Sequence, residues 1–315
     1  MNTPSNGGHD LAVTSPRTAP WAIPQKRLLY WSVRRELWEN RFLYLAPLVV
    51  AAIVLFASFI HMFSYPGRVR NAATLDPARQ HAVIVAPFDM APAPIMFFTF
   101  LVGLFYCLDA LYGERRDRSI LFWKSLPVSD RTTVLSKAAI PLVVLPLFAF
   151  ALSLATQRLM MFQASAVLLA NGMSVGTVWK EFRFFQDALI MLYGLVVHAL
   201  WYAPIYGWLL LISAWAKRAP LLWALLPPML ISAFERTAFG TRSFPRMLHY
   251  RVQGAMQEAF VDVPAPRRGH PPNIDQLSQL DPANFLTRPG LWVGLAFAVV
   301  CLAAAVRLRR NREPI

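Results

Sequence analysis

The chain has 315 residues and a formal net charge of +14, and 56% of its residues are hydrophobic while only 15% are charged. A soluble domain of this length cannot bury that much apolar surface, so the composition predicts an integral membrane protein. The basic residues lie beside apolar runs rather than in one patch, which favours anionic lipid head groups over nucleic acid as their partners. Cys107 and Cys301 both fall inside apolar runs, so neither a disulfide framework nor a metal site is predicted.

The N-terminal region changes character at residue 25. Residues 1–24 are rich in Pro, Ser, Thr, Gly and Asn and show no periodicity, which predicts a disordered cytoplasmic tail. In residues 25–41, apolar side chains such as Val33 and Leu37 share one side of a helical wheel, with Arg34 and other charges facing away. This pattern predicts an elbow helix lying in the membrane interface, and a solvated lead-in to the first span is the alternative.

Six apolar runs are long enough to cross the membrane, since about 30 Å of hydrocarbon requires roughly 20 helical residues. The sequence therefore predicts an all-α integral membrane protein with a six-helix transmembrane domain over 42–310 and a short cytoplasmic tail over 311–315. The predicted spans lie near 42–63, 92–112, 138–157, 188–214, 219–235 and 289–306.

Basic residues predict the orientation, because short loops rich in Lys and Arg stay in the cytoplasm. With six spans and the N-terminus inside, the cytoplasmic segments hold 18 of the 31 Lys and Arg residues. The remaining 13 are spread over longer outer segments, so both termini are expected inside. Among the outer segments, 64–91 is expected to be irregular. Within 236–288, apolar residues recur every four positions from Phe244 to Phe260, which predicts an amphipathic helix.

The loop 113–137, between the second and third predicted spans, carries exposed aromatic residues. Asp117 or Ser119 can cap a short helix, and Pro127 prevents its continuation. The helix would present Phe122 and Trp123 together with arginines. Such a surface suits docking into a groove on another protein. The alternative is that both aromatic rings lie back on the bilayer as part of an interfacial belt.

The run from Tyr112 to Ser129, Tyr-Gly-Glu-Arg-Arg-Asp-Arg-Ser-Ile-Leu-Phe-Trp-Lys-Ser-Leu-Pro-Val-Ser, resembles the membrane subunit of a type-2 ABC transporter, the ABC-2 exporter permease family. The elbow-like residues 34–40, the six-span layout and the large outer loop are also similar to that family, over roughly residues 26–310. The resemblance implies that this loop holds a coupling helix that contacts a separate ATPase subunit. The implied contact residues are Glu114, Arg115, Arg116, Asp117, Ser119, Ile120, Leu121, Phe122, Trp123, Lys124, Ser125, Leu126 and Pro127.

The resemblance further implies substrate export by alternating access in a bacterial inner membrane, with a second permease chain as homodimer or heterodimer partner. The chain has no Gly-x-x-x-x-Gly-Lys-Ser/Thr loop, so ATP and Mg²⁺ are expected on the ATPase partner, and no catalytic residue, cofactor or metal is expected here. Two other readings stay open. One is a membrane regulator or assembly subunit without transport, and the other is a membrane serine hydrolase.

The hydrolase reading depends on Gly172-Met173-Ser174-Val175-Gly176, which matches a nucleophile-elbow pattern and is followed by Asp187 and His198. A serine in a loop after a membrane helix does not fit the strand-to-helix turn that this chemistry requires.

Two polar residues inside predicted spans have either a structural role or a place on the substrate path. Asp109 lies near the end of the second span, where the helix dipole disfavours a negative charge, so it is expected to pair with a cation such as Arg115 or Arg116. His198 in the fourth span is expected to be a neutral, hydrogen-bonded residue of the bundle. A place on the substrate path is the alternative for both residues.

Overall fold

The computed structural model describes residues 25–125, 128–261, 274 and 276–311. Within these ranges the regular structure is helical, and one isolated bridge pairs Phe260 with Leu280. This agrees with the predicted all-α class. The predicted tail 1–24 and residues 312–315 lie outside the described residues.

Sixteen α-helices are formed by the described residues, with a π-helical turn at Ile140–Val144 and a 3₁₀ turn at Leu277–Gln279. In chain order they are α1 (Gln25–Glu39), α2 (Phe42–Met62), α3 (Tyr65–Ala72), α4 (Pro77–Asp89), α5 (Pro92–Ala110), α6 (Tyr112–Arg116), α7 (Ile120–Ser125), α8 (Asp130–Ala139), α9 (Leu145–Ala170), α10 (Gly176–Glu181), α11 (Phe184–Trp215), α12 (Pro220–Phe239), α13 (Ser243–Gln253), α14 (Ala255–Ala259), α15 (Pro282–Thr287) and α16 (Pro289–Asn311).

Five helical stretches of the described chain are long and apolar enough to cross a membrane: Phe42–Met62, Arg79–Arg116, Asp130–Ala170, Phe184–Trp215 and Pro289–Asn311. The chain is therefore a multi-pass membrane protein by length and composition. The predicted span near 219–235 does form a helix, α12, but it is not among the five. Pro227 and Pro228 lie inside it, and Glu235 and Arg236 lie near its end, which lowers its apolar character.

The third predicted span is part of a helical stretch that is longer than the apolar run itself. Helix α8 continues through the π turn into α9, so one helical stretch covers Asp130–Ala170 instead of 138–157. Pro141 lies within the π turn and lacks the N–H group that a regular helix would use there. A π turn of this kind re-registers the side chains that follow it, and such turns are frequent at functional sites.

The expectation of irregular structure over 64–91 is wrong, because this segment forms α3 and α4. Pro66 and Pro77 lie in the first turns of these helices, where proline fits without losing a hydrogen bond. Asp76 caps α4 by accepting a hydrogen bond from the Arg79 backbone N–H at 3.3 Å. The prolines therefore mark helix starts rather than an irregular loop.

Packing of the bundle is closest where α11 crosses α16. A Cβ added at Gly207 would lie 3.2 Å from the Cα and O atoms of Ala298, so the absence of a side chain at Gly207 lets the two helices approach. In contrast, α12 packs loosely, and Ala224 is its one buried residue. The predicted amphipathic helix over 244–260 forms as α13 and α14, which meet at the buried Gly254.

Candidate functional site

The loop after α5 folds as two short helices. Helix α6 follows α5 almost directly, and Arg118 then adopts a left-handed backbone with φ of 58°, which turns the chain before α7 begins at Ile120. The Ser119 carbonyl accepts a hydrogen bond from the Trp123 N–H at 3.1 Å. Ser129 caps α8 by accepting from the Thr132 N–H at 3.1 Å. The predicted short helix is present as Ile120–Ser125, and Leu126 and Pro127 lie outside the described residues.

Helix α7 presents apolar side chains on its outer side. Leu121 is 59% exposed and Phe122 is 60% exposed, whereas Ile120 is buried beneath them. The Trp123 ring makes an edge contact with Phe122 and is covered by the Arg35 guanidinium, 3.9 Å from the ring centroid. More than half of the Leu121 and Phe122 side-chain surface is therefore exposed, while Trp123 also contacts helix α1 through Arg35. The side chains of Lys124 and Ser125 lie outside the described part of the chain.

Two of the expected contact residues, Glu114 and Arg115, point into the chain and are buried. Arg115 donates a hydrogen bond to the Ser213 carbonyl at 3.0 Å and a second, short one to the Ala216 carbonyl. These carbonyls lie at the C-terminal end of α11, where a cation also interacts favourably with the helix dipole. Between Arg115 and α7, the exposed charges are those of Arg116, Asp117 and Arg118.

Ser213 fixes the break between α5 and α6. Its Oγ atom accepts hydrogen bonds from the backbone N–H groups of Leu111 and Tyr112, at 3.0 and 2.9 Å. Buried backbone donors need such partners. Because Ser213 belongs to α11, the start of the loop is attached to the long central helix.

Buried and half-buried charges form a cluster that reaches α7 where Arg35 covers the Trp123 ring, and we call it the charged cluster. It consists of Arg35, Glu36, Glu114, Lys137, Arg309 and Asp130.

Lys137 is central in the charged cluster. Its Nζ atom lies 2.9 Å from Oε1 of Glu36 and 3.1 Å from Oε1 of Glu114. Arg309 forms a short ion pair with Glu114, and its Nε atom is 3.1 Å from Oδ1 of Asp130. The charged cluster therefore joins α1, α6, α8 and α16.

The ionisation of the charged cluster follows from its geometry. Burial by itself raises the pKa of the Glu36 carboxyl, but the Lys137 charge and hydrogen bonds from Arg35 and Lys137 outweigh it, so the pKa is lowered. Burial also opposes the charge of Arg35, yet its hydrogen bond to Glu36 and the nearby carboxylates leave its pKa raised. Glu36 and Arg35 therefore stay charged at neutral pH. Glu36 also accepts a hydrogen bond from the Tyr106 hydroxyl at 2.8 Å.

Asp109 pairs with Arg116, one of the two cations that the sequence indicated. The distance from Oδ1 of Asp109 to Nη1 of Arg116 is 3.9 Å, and both side chains are more than half exposed. Gly113 makes room for this carboxylate, because a Cβ there would lie 3.1 Å from its Oδ2 atom. Asp109 does not line the large cavity of the bundle.

His198 lies in the bundle and is hydrogen-bonded, as expected from the sequence. Its Nε2 atom is 3.0 Å from the Tyr206 hydroxyl, and its ring packs against Phe100 and Tyr202. It also lines a cavity of about 760 Å³ between α5, α9 and α11. The alternative of a path residue is thus compatible with its position.

The residues of the hydrolase pattern make other contacts. Ser174 is exposed, and its Oγ atom accepts a hydrogen bond from the Gly176 N–H at 3.3 Å. His198 contacts Tyr206 within the bundle. Among the described residues, no three His, Cys, Asp or Glu side chains form a group that could hold a metal ion.

Sequence reasoning missed six members of this site: Arg35, Glu36, Asp130, Lys137, Ser213 and Arg309. Glu36 lies in a segment whose sequence predicts an interfacial helix, and Lys137 lies in the loop predicted to precede the third span. A partial signal existed, because a charge at the edge of an apolar run needs a partner. Which charges pair depends on the tertiary packing of helices far apart in the chain.

Comparisons of the chain with protein-family models, with curated proteins and with solved structures found no match.

Proposed function

We propose that this chain is the transmembrane permease subunit of an ATP-driven ABC-2 type exporter. In this proposal, α7 is the coupling helix, and a separate ATPase subunit binds ATP and Mg²⁺ and docks on Leu121 and Phe122. Two permease chains, identical or paired with a related chain, form the substrate path, and substrate crosses by alternating access. The resemblance of residues 112–129 to that family gives the proposal its specific content.

One observation carries the proposal: an exposed apolar patch sits on a short helix that is attached to the bundle by buried charges. Leu121 and Phe122 are exposed, while Glu114 and Arg115, only a few residues earlier, are held by Lys137, Arg309 and the end of α11. A force applied to α7 would therefore reach α1, α8, α11 and α16 together. A docking surface without that attachment would not move the spans.

The finer layout belongs to the same proposal. Helix α12 is the sixth span, because its exposed face is almost entirely apolar. Helix α1 is the interfacial elbow, and Trp31 and Trp38 on its exposed side would lie at head-group level. Both termini lie in the cytoplasm, as the Lys and Arg distribution favours, and the membrane is the bacterial inner membrane.

The direct test is photo-crosslinking in the native cell with p-benzoylphenylalanine at position 122. The expected product is a covalent adduct with a protein that contains a P-loop, identified by mass spectrometry. The same group at Phe185 is the control, since this residue is 86% exposed but starts α11 at the opposite end of the bundle. Position 185 is expected to give no such adduct.

Two results would contradict the proposal. An adduct with lipid alone at position 122 would favour the aromatic-belt reading of α7. An adduct with a protein that lacks a P-loop would favour a regulator or assembly subunit.

A further inference from the structure

A large cavity lies inside one chain and away from the coupling helix. It has a volume of about 760 Å³ and is lined by residues of α4, α5, α9, α11 and α14. Its lining on α5 ends at Phe100, ten residues or about 15 Å along the helix before the loop that leads to α7. The volume lies within the range of small-molecule sites, roughly 300–1,000 Å³.

The cavity wall is apolar with a few polar groups. Alanine, methionine and proline are the most frequent residues, and Phe100, Tyr202, Tyr206 and Phe260 add aromatic surface. Among the described residues, no Lys or Arg lines the cavity, whereas Asp89 and Asp187 do. An anionic ligand is therefore disfavoured, because it would enter without a countercharge. Both carboxylates already have partners within the chain, so neither is an unpaired site for a cation.

Gln157 supplies the observation that points to a ligand. It lines the cavity and is only 2% exposed. Its Nε2 atom donates to the Phe88 carbonyl at 3.2 Å, but its Oε1 atom is buried and accepts no hydrogen bond from the described residues. A buried acceptor without a donor costs about 1–3 kcal/mol. A hydroxyl or N–H group in the cavity would remove that cost.

The helix geometry around the cavity supports a built site. The π turn of the third span places Pro141 and Leu145 in the wall. Gly103 packs beneath them, since a Cβ there would lie 3.5 Å from Pro141 and from Tyr206. On the other side, Gly194 leaves open space, because a Cβ there would meet no other atom within 4 Å.

We propose that this cavity binds one uncharged, mostly apolar molecule that carries a hydroxyl or N–H group, which donates a hydrogen bond to Oε1 of Gln157. The site lies within a single chain, so it is independent of an ATPase partner and of any path between two chains. Its failure and the failure of the transporter proposal are thus distinguishable.

The test uses the full-length chain reconstituted in liposomes and an aliphatic diazirine alcohol, an octanol that carries a photoreactive diazirine. After illumination, labelled peptides are mapped by mass spectrometry at increasing probe concentrations. We expect saturable labelling of peptides from α5, α9 and α11 that excess 1-octanol suppresses. The methyl ether of the same probe lacks the O–H donor. Its half-maximal labelling is expected to need a roughly three- to tenfold higher concentration, which corresponds to the loss of one hydrogen bond.

Two variants locate the site. Gly194→Leu places a side chain in the open part of the cavity and is expected to abolish saturable labelling. Gly67→Leu is the matched control, because Gly67 also lies in a helix with no atom within 4 Å of an added Cβ, but outside the cavity. Gln157→Leu is expected to remove the difference between alcohol and ether.

The native chain alone can overturn the proposal. Labelling that does not saturate, or that falls equally on lipid-facing α12, would mean that the cavity holds only water or lipid chains. Equal labelling by alcohol and ether would refute the role of Gln157.

Discussion

Lys137 and Glu36 form an almost fully buried ion pair, with Nζ of Lys137 2.9 Å from Oε1 of Glu36. The two residues are 101 positions apart and lie on α8 and α1. Their side chains are 3% and 0% exposed, so neither charge is compensated by water. The pair attaches the N-terminal helix to the start of the third span.

Removing one partner of this pair is expected to be strongly destabilising. Lys137→Met leaves Glu36 buried without its main countercharge, which typically costs about 3–5 kcal/mol. The measurement is the free energy of unfolding from SDS titration in mixed micelles. The control, Arg79→Met, removes an exposed pair with Asp76 and is expected to cost under about 1 kcal/mol.

The double variant Glu36→Gln/Lys137→Met is expected to lose less than the sum of the two single changes, because the residues interact directly. Additive losses would show that the pair contributes no interaction energy.

The same pair predicts a pH dependence of stability. The pKa of Glu36 is lowered in the folded chain, so its contribution is fully present above the pKa of a free glutamate, about 4.3. It is lost as the pH falls through the folded pKa. The free energy of unfolding of the native chain should therefore decline more steeply below about pH 5 than that of Glu36→Gln. Parallel curves for the two proteins would contradict the ion pair.

Replacing Ser213 is expected to lower the free energy of unfolding more than replacing a serine in a membrane helix normally does. Ser213→Ala leaves the buried N–H groups of Leu111 and Tyr112 without their acceptor, at about 1–3 kcal/mol for each unsatisfied group. Ser232→Ala is the matched control, since the Ser232 hydroxyl donates to the Pro228 carbonyl of its own helix at 2.7 Å. SDS titration should show a clear loss for Ser213→Ala and almost none for Ser232→Ala. Equal effects would mean that the loop start does not depend on α11.

Gly290 and Gly294 form a Gly-x-x-x-Gly pair in the last span, but the two glycines have different roles. A Cβ at Gly294 would clash with the Arg251 guanidinium, whereas at Gly290 the nearest atom is Cε1 of Tyr250 at 3.9 Å. Arg251 donates to the Gly290 carbonyl at 2.6 Å and lies over the Trp201 ring. Gly294 therefore makes room for an arginine from α13 of the same chain, and the Gly290 carbonyl accepts its hydrogen bond.

Gly294→Ala is expected to displace Arg251 and to release α13 from the bundle, while Gly290→Ala is tolerated. Limited proteolysis between α12 and α14 reports the release. Arg251→Met should give the same cleavage pattern as Gly294→Ala. Increased cleavage in Gly290→Ala alone would contradict this assignment.

Local sequence signals predicted much of the fold. Hydropathy located the five helical stretches that are long and apolar enough to cross a membrane, and the short helix predicted after Ser119 forms as α7. The same signals misjudged residues 64–91, because Pro66 and Pro77 can indicate either a turn or a helix start. The sixth predicted span forms helix α12, whose prolines and charged end keep it out of the five apolar stretches, so its crossing of the membrane stays a prediction.

The site was less predictable because its contacts are tertiary. Glu114 and Arg115 belong to the charged loop by sequence, yet both are buried and paired inside the chain. Their partners, Lys137, Arg309 and the carbonyls at the end of α11, lie about 20 to 195 positions away. No local pattern encodes which of many cations a buried carboxylate meets.

The most direct test of the central proposal is copurification of the tagged chain from its native membrane in mild detergent, followed by mass spectrometry and an ATP hydrolysis assay. The Leu121→Ala/Phe122→Ala variant is compared with Leu230→Ala/Ile231→Ala, which removes two exposed apolar side chains from α12. We expect a P-loop ATPase with the native chain and the α12 variant but not with the α7 variant. Absence of an ATPase from the native sample, under conditions that preserve a known transporter complex, would contradict the account.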